Sequence, residues 1–194
     1  MSPSFTAAYD GTPPWDIGRP QPAIVKAADA GIVEGRVIDL GCGTGEQAIF
    51  AASRGHEALG IDAVGRAIDL AKKKALARGV SARFLVHDAL ALDRLGETFD
   101  TAIDCGLFHT FTDDERPHYT RGLAKILGAG AKLLVLCFSD EELSEGGPRR
   151  VTRRELETAF EPAFELVRVE ATRYESHLHE GGARAWFALL HRRP

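Results

Sequence analysis

With 194 residues, 24 Lys and Arg against 28 Asp and Glu, and a formal net charge of -4, the chain has the length of a single α/β domain spanning residues 1–194. It lacks the cationic excess of a dedicated nucleic-acid surface. Cys42, Cys105 and Cys137 are widely spaced, without a C-x-x-C pair, which argues against a disulfide framework and suits a reducing cytoplasm. No apolar run approaches the roughly 18 residues of a membrane span, and Met1 to Asp10 has neither the basic nor the apolar region of a signal peptide. A cytoplasmic protein, a monomer or a homodimer, with small-molecule partners and neither nucleic acid nor membrane, is the expectation.

In chain order, Tyr9 and Trp15 stand in an irregular segment whose Pro13, Pro14, Pro20 and Pro22 lack amide donors and restrict their neighbours. Such aromatic residues cover either core or a ligand cavity. Residues 1–22 are therefore expected to form an N-terminal lid. Pro22 suits the first turn of a helix to about Ala30, with Gly31 as its stop.

Val37, Ile38 and Leu40 read as the end of a buried strand. Gly41, Cys42, Gly43, Thr44 and Gly45 form a loop opening into a helix over Glu46 to Ser53. Glycines let the backbone lie against a ligand, and the helix start offers unpaired N–H groups. The dinucleotide fingerprint G-x-G-x-x-G fits poorly, because Glu46 occupies the position of its third glycine. Asp39, two positions ahead of Gly41, can address a cationic or hydrogen-bond-donating ligand group.

A second strand, Glu57 to Asp62, ends in a carboxylate placed to accept ribose hydroxyls. Helix Val64 to Arg78 should bury Val64, Ala67, Ile68, Ala71, Ala75 and Leu76, with its lysine run facing solvent. A third strand over 82–86 leads into His87, Asp88 and Ala89. A fourth ends near Asp104, placing Asp104, Cys105, Phe108 and His109 at the ligand edge of an open parallel sheet. Thr112 and Glu115 form a capping box, with a kink or restart expected at Pro117. Ala131 to Phe138 is the fifth strand, and Thr152 with Glu155 caps a helix to Phe160. Arg149, Arg150, Arg153 and Arg154 read as an exposed cluster. Phe164 to Tyr174 and Ala183 to His191 form an antiparallel pair, its loop carrying His177 and His179 as surface residues.

Asp39-x-Gly41-x-Gly43-x-Gly45, followed by Asp62, Asp88 and the strand end at Asp104, resembles the class I S-adenosylmethionine (SAM) dependent methyltransferases over essentially the full length. Pro13-Pro14-Trp15-Asp16-Ile17-Gly18-Arg19-Pro20, Cys105-Gly-Leu-Phe-His-Thr-Phe111 and the stretch from Cys137 to Thr152 resemble a narrower group. These are small bacterial benzoquinone or heterocyclic-toxin methyltransferases, similar to thiopurine and thiocyanate S-methyltransferases. Thr12-Pro-Pro-Trp15 also resembles the motif of DNA amino methyltransferases, but the buried strand that precedes it in those enzymes is missing.

The resemblance implies an α/β fold with a seven-stranded doubly wound sheet, mostly parallel with an antiparallel C-terminal strand. It implies SAM as cofactor, S-adenosylhomocysteine as product, and methyl transfer to S, N or O of a small, flat acceptor. Cofactor contacts are expected from Trp15, Asp39, Gly41, Cys42, Gly43, Gly45, Asp62, Ala63, Asp88, Ala89 and Cys105. Acceptor contacts are expected from Phe108, His109 and Phe138. His109 and Tyr9 are the candidates for a catalytic role, and no metal-ligand set is evident. A SAM-binding partner subunit without turnover is the alternative.

Overall fold

The computed structural model describes residues 3–194, with side chains described from Thr6 onward; Met1 and Ser2 of the expected lid lie outside the described residues. The elements are α1 (Pro3–Ala8), α2 (Pro22–Asp29), β1 (Val37–Leu40), α3 (Glu46–Ser53), β2 (Ala58–Asp62), α4 (Gly65–Ala77) and β3 (Arg83–Val86). There follow β4 (Phe99–Cys105), α5 (Glu115–Ile126), β5 (Leu127–Phe138), α6 (Arg153–Phe160), β6 (Phe164–Ser176) and β7 (His179–Arg192). They form a seven-stranded sheet in the order β3-β2-β1-β4-β5-β7-β6. The first five strands pair in parallel, and β7 runs antiparallel to both β5 and β6. Strand order reverses at β1 and β4, so the crevice outside their carboxyl ends is where a ligand of this sheet belongs.

Helices cover both faces, and the strands show it in composition. All four residues of β1 are buried, because a parallel strand packed on two sides needs apolar character throughout. Ile38 and Leu40 join Leu123 of α5 and Phe160 of α6 on one face, whereas Val37 and Ile103 join Ile24 of α2 and Ala51 of α3 on the other. Phe84 of β3 packs with Ile49 of α3 and Ile68 and Ala71 of α4.

Several sequence expectations are corrected. The chain ahead of Tyr9 is helical, as α1. Leu76 is 83% exposed, one position past the buried Ala75 where the helix has turned to solvent. Pro117 causes no kink: it lies in the first turn of α5, where amides have no intrahelical partner. The fifth strand starts at Leu127, and Gly128 to Ala131 are accommodated by a register shift between Phe99 and Thr101.

Gly60 on β2 has no space for a side chain. A Cβ there would lie 2.7 Å from Phe84 Cδ1 and 2.9 Å from Cys42 Sγ. Gly60→Ala is therefore expected to destabilise the fold by about 1–3 kcal/mol through overpacking. Urea unfolding checks this, and an unchanged midpoint would show that the layer beneath β2 yields freely.

Candidate active site

The loop between β1 and α3 is built on positive φ at Gly41 (61°), Gly43 (54°) and Gly45 (86°), which side-chain-bearing residues rarely adopt. Two carboxylates fasten it. Asp39 Oδ2 accepts from Ala48 N at 3.0 Å, satisfying an orphan amide of the α3 first turn in place of a side-chain cap at Gly45. Asp62, at the end of β2, accepts from Gly43 N at 2.9 Å and Val64 N at 2.8 Å. Burial drives the Asp39 carboxyl up to about 8, and the neighbouring Asp62, Asp104 and Glu46 add to the shift. Burial raises Asp62 as well.

Residues 9 to 21 cross this loop as a strap. The Tyr9 ring packs with Val64 and Ala67 and meets Trp15 edge to face at 6.1 Å. Burial and the Asp62 charge raise the Tyr9 phenol well above its usual value. Its hydroxyl is 3.1 Å from where a Gly43 Cβ would stand. Asp16 accepts from Thr44 Oγ1 at 2.6 Å and from Lys74 Nζ at 3.2 Å. Lys74 also donates to Thr44 Oγ1 and Glu46 Oε1, both at 2.6 Å, and Arg78 Nη1 donates to Glu46 Oε2 at 2.7 Å. Lys74 is thus not a solvated residue, and together with the exposed Arg78 it holds the strap and the helix start together. At the other margin, His177 N donates to Pro14 O at 2.8 Å, and Gln21 exchanges hydrogen bonds with the backbone of Glu175 at 2.8 and 2.9 Å.

Beside the loop lies an aromatic cluster. Phe138 meets His109 at 5.1 Å, Tyr174 at 5.4 Å and His179 at 5.5 Å between ring centroids. The Arg150 guanidinium lies 5.4 Å over Phe138, held by carbonyls of Gly146 and Pro148. Arg150 therefore leaves the expected exposed cluster. His179 is half-buried, held between Ser176 Oγ at 2.8 Å and Ser144 Oγ at 3.1 Å.

Three predicted residues serve elsewhere or differently. Phe108 is fully buried in the opposite core, against Phe160 at 5.0 Å and beneath Arg116, so it does not line an acceptor pocket. Asp104 turns away from the ligand edge: its carboxylate accepts from Leu107 N, Phe108 N and Tyr119 Oη. Burial raises it to about 6. His109 Nδ1 accepts from Phe138 N at 3.0 Å, and a Gly106 backbone group engages the ring as well. Burial, with Arg150 nearby, lowers its pKa to about 3. A general base needs a free lone pair near neutral pH, and His109 Nδ1 is occupied by the Phe138 amide.

Among the remaining positions, Cys42 continues the β1–β2 ladder through its N–H to Ile61 O at 2.8 Å, while its thiol packs with the α3 and α4 layer. Ala63 follows Asp62 at the same edge. Asp88 Oδ1 accepts from Leu90 N at 2.9 Å, and Ala89 is buried. Cys105 Sγ accepts from Gln47 Nε2 at 3.6 Å and is engaged by the Tyr174 side chain.

Residues 37–130 match the methyltransferase domain family. The chain is 39% identical over 147 residues to a 2-heptyl-1-hydroxyquinolin-4(1H)-one methyltransferase of Mycobacteroides abscessus; the match takes in 74% of this chain and 65% of that protein's length. A probable thiol methyltransferase 2 of Arabidopsis thaliana is 31% identical over 82% of this chain and 72% of its own. A solved structure, from work on conversion of a disulfide bond into a thioacetal group during echinomycin biosynthesis, superposes with a TM-score of 0.89 at 34% identity. That superposition covers 100% of this chain and 93% of the other. The chain is a class I SAM-dependent methyltransferase.

The methyltransferase fits its cofactor on electrostatic grounds. Asp39, Asp62 and Glu46 cluster at the glycine loop, and the charge of the last two helps keep Asp39 protonated. A cationic sulfonium and ammonium are what such a site lacks. Tyr174, His179, Gln47, Asp16 and Lys74 are neighbours that sequence reasoning missed. Asp16 was readable in part, inside the quoted Pro-Pro-Trp-Asp stretch; Tyr174 and His179 come from a hairpin remote in sequence.

The Asp39 shift carries a prediction for the cofactor-free methyltransferase. Its native value of about 8 lies above the unfolded 3.8, so the native state keeps a proton that the unfolded chain releases between these limits. Stability is fully present below this window and falls as pH rises through it. Asp104, at about 6, adds to the same fall over the lower half. Urea midpoints at about pH 5 and about pH 8 should drop in wild type and drop less in Asp39→Asn. Equal drops would show that Asp39 does not titrate in this range.

Proposed function

We propose that the enzyme methylates a small, flat acceptor whose sulfur, oxygen or nitrogen presents a free lone pair at neutral pH, such as a heteroaromatic hydroxyl or a thiol. The single observation that supports this reading is the double engagement of the His109 ring. Tyr9 and Tyr174 are raised in pKa by burial, and Asp104 is spent on Tyr119 and two amides. His109 is thereby withdrawn from proton transfer, while His179, at the rim of the cluster, stands between the hydroxyls of Ser176 and Ser144.

When bound, SAM supplies a sulfonium methyl for in-line displacement. The residues of the chain bind, align and exclude water. Phe138, His109, Tyr174 and His179 offer faces and edges for a planar ring, and Arg150 favours an acceptor carrying negative charge. Tyr9 and Trp15 place aromatic surface over the cofactor loop, where a cation is stabilised by roughly 0.5–2 kcal/mol. Alignment in a closed site contributes most of the acceleration, on the order of 7–11 kcal/mol in well-oriented systems. The hydroxyquinolone named for one relative, and an aromatic thiol such as benzenethiol, both lose a proton more readily than a simple phenol.

The test uses 1-hydroxyquinolin-4(1H)-one, benzenethiol and phenol as acceptors, with kcat/KM followed against pH. Each profile is expected to inflect at the acceptor's own pKa, with phenol the slowest at neutral pH. An inflection at one pH shared by all acceptors would reveal an enzymic base and overturn the reading. Separately, Asp62→Ala is expected to weaken SAM binding by roughly 1.5–3 kcal/mol per charged hydrogen bond lost, read by calorimetric titration. Unchanged affinity would remove Asp62 from the ribose.

A further inference from the structure

Gln21 immediately precedes α2, and its side chain makes no hydrogen bond to that helix. It is only 1% exposed, and a buried amide must be satisfied somewhere. Its Nε2 donates to Glu175 O at 2.8 Å and its Oε1 accepts from Glu175 N at 2.9 Å. Its own N–H donates to Gln47 Oε1 at 3.2 Å. Gln47 Nε2 in turn donates to Cys105 Sγ at 3.6 Å, and Cys105 interacts with the Tyr174 side chain. Tyr174 and Glu175 are consecutive on β6, so the circuit closes. It joins the strap, the start of α3, the end of β4 and β6.

The Tyr174 hydroxyl is seated at Gly106, 2.7 Å from where a Cβ would be, and Gly106 has a φ of 84°. Nothing larger than glycine leaves room for that hydroxyl. The ring also packs against Phe138 and His109. Tyr174 thus ties Cys105 and Gly106, at the end of β4, to the aromatic cluster.

We propose that Gln21 and Gln47 are positioning residues for methyl transfer: the circuit through Cys105, Tyr174 and Glu175 holds the acceptor wall in register with the cofactor loop only while the strap is docked. This rests on the acceptor reading above. The circuit is made of neutral hydrogen bonds, individually weak. Its effect is on alignment, where a shift of about 1 Å can cost about 100-fold in rate.

Gln47→Met and Gln21→Ala are to be compared with wild type using benzenethiol and SAM. The expected result is a kcat lower by roughly 10- to 100-fold with unchanged SAM affinity by calorimetry; thermal unfolding is unchanged in Gln47→Met and falls in Gln21→Ala, which leaves Glu175 N and O without their side-chain partner. Gln47→Glu keeps the acceptor for Gln21 N and should recover part of the loss. In a Tyr174→Phe background, Gln47→Met should cost little more, because both changes break one circuit. Rate losses that multiply, wild-type kcat in both glutamine variants, or parallel losses of kcat, SAM affinity and stability would each overturn the proposal. If wild type does not turn over benzenethiol, the acceptor reading fails. The circuit is then judged by iodoacetamide labelling of Cys105 followed by peptide mass spectrometry, with buried Cys137 as control. Faster Cys105 labelling in both variants supports the circuit, and equal labelling rejects it.

Discussion

The site depends on the burial of carboxylates at the carboxyl edge of the sheet, with no cation among the described residues in contact with Asp39. Its two strand-end acids are paid for by backbone amides instead: Ala48 for Asp39, Gly43 and Val64 for Asp62. Those hydrogen bonds fold the glycine loop into its left-handed turns, so the loop conformation and the negative potential have one cause. A ligand bearing positive charge relieves the repulsion among these acids. Lys74 and Arg78 supply positive charge only at the far end of the loop, to Glu46 and Asp16, and this leaves the Asp39 end for the cofactor.

The strap follows from the same electrostatics. Asp16 would add another negative charge near the loop, but Lys74 and Thr44 neutralise it and turn it into a fastening. Trp15 is then carried edge to face against Tyr9, and the Tyr9 hydroxyl and Trp15 Nε1 are the atoms nearest Gly43. Prolines 13, 14, 20 and 22 reduce the entropy lost when this segment docks. A handful of polar contacts at Asp16, His177 and Gln21 is then enough to hold it.

Most of the fold was legible because parallel strands buried on both faces must be apolar throughout, and glycine turns and capping boxes mark their own ends. Helix α3 falls at Glu46–Ser53 as read, and the Thr152–Glu155 box opens α6. Legibility failed where a residue's environment is set by partners far along the chain. A lysine at position 74 reads as solvent-facing from helical periodicity alone; its partners are 28, 30 and 58 residues away. Phe108 and His109 are adjacent and equally aromatic, yet the tight turn after β4 sends one into the α5 and α6 core and the other to the acceptor side. Alternation in a turn is not periodic, so no pattern could separate them. Tyr174 and His179 reach the site only because β7 pairs with β5 and carries β6 behind it.

That pairing explains how specificity and closure become linked. The β6–β7 hairpin brings Tyr174 and His179 to the acceptor side and, through Glu175 and His177, also receives the strap. The cofactor loop gives the strap its other anchorage at Thr44. Phe138 ends β5, so an acceptor ring packed on it, as proposed, lies between that strand and the hairpin to which the strap is hydrogen-bonded. His109 is locked by Phe138 N and kept neutral by burial, so on the proposed reading it contributes shape and field to the acceptor wall. On the proposed reading, discrimination between acceptors comes from planarity, charge and their own acidity, and the chemistry of the acceptor sets which atom is methylated.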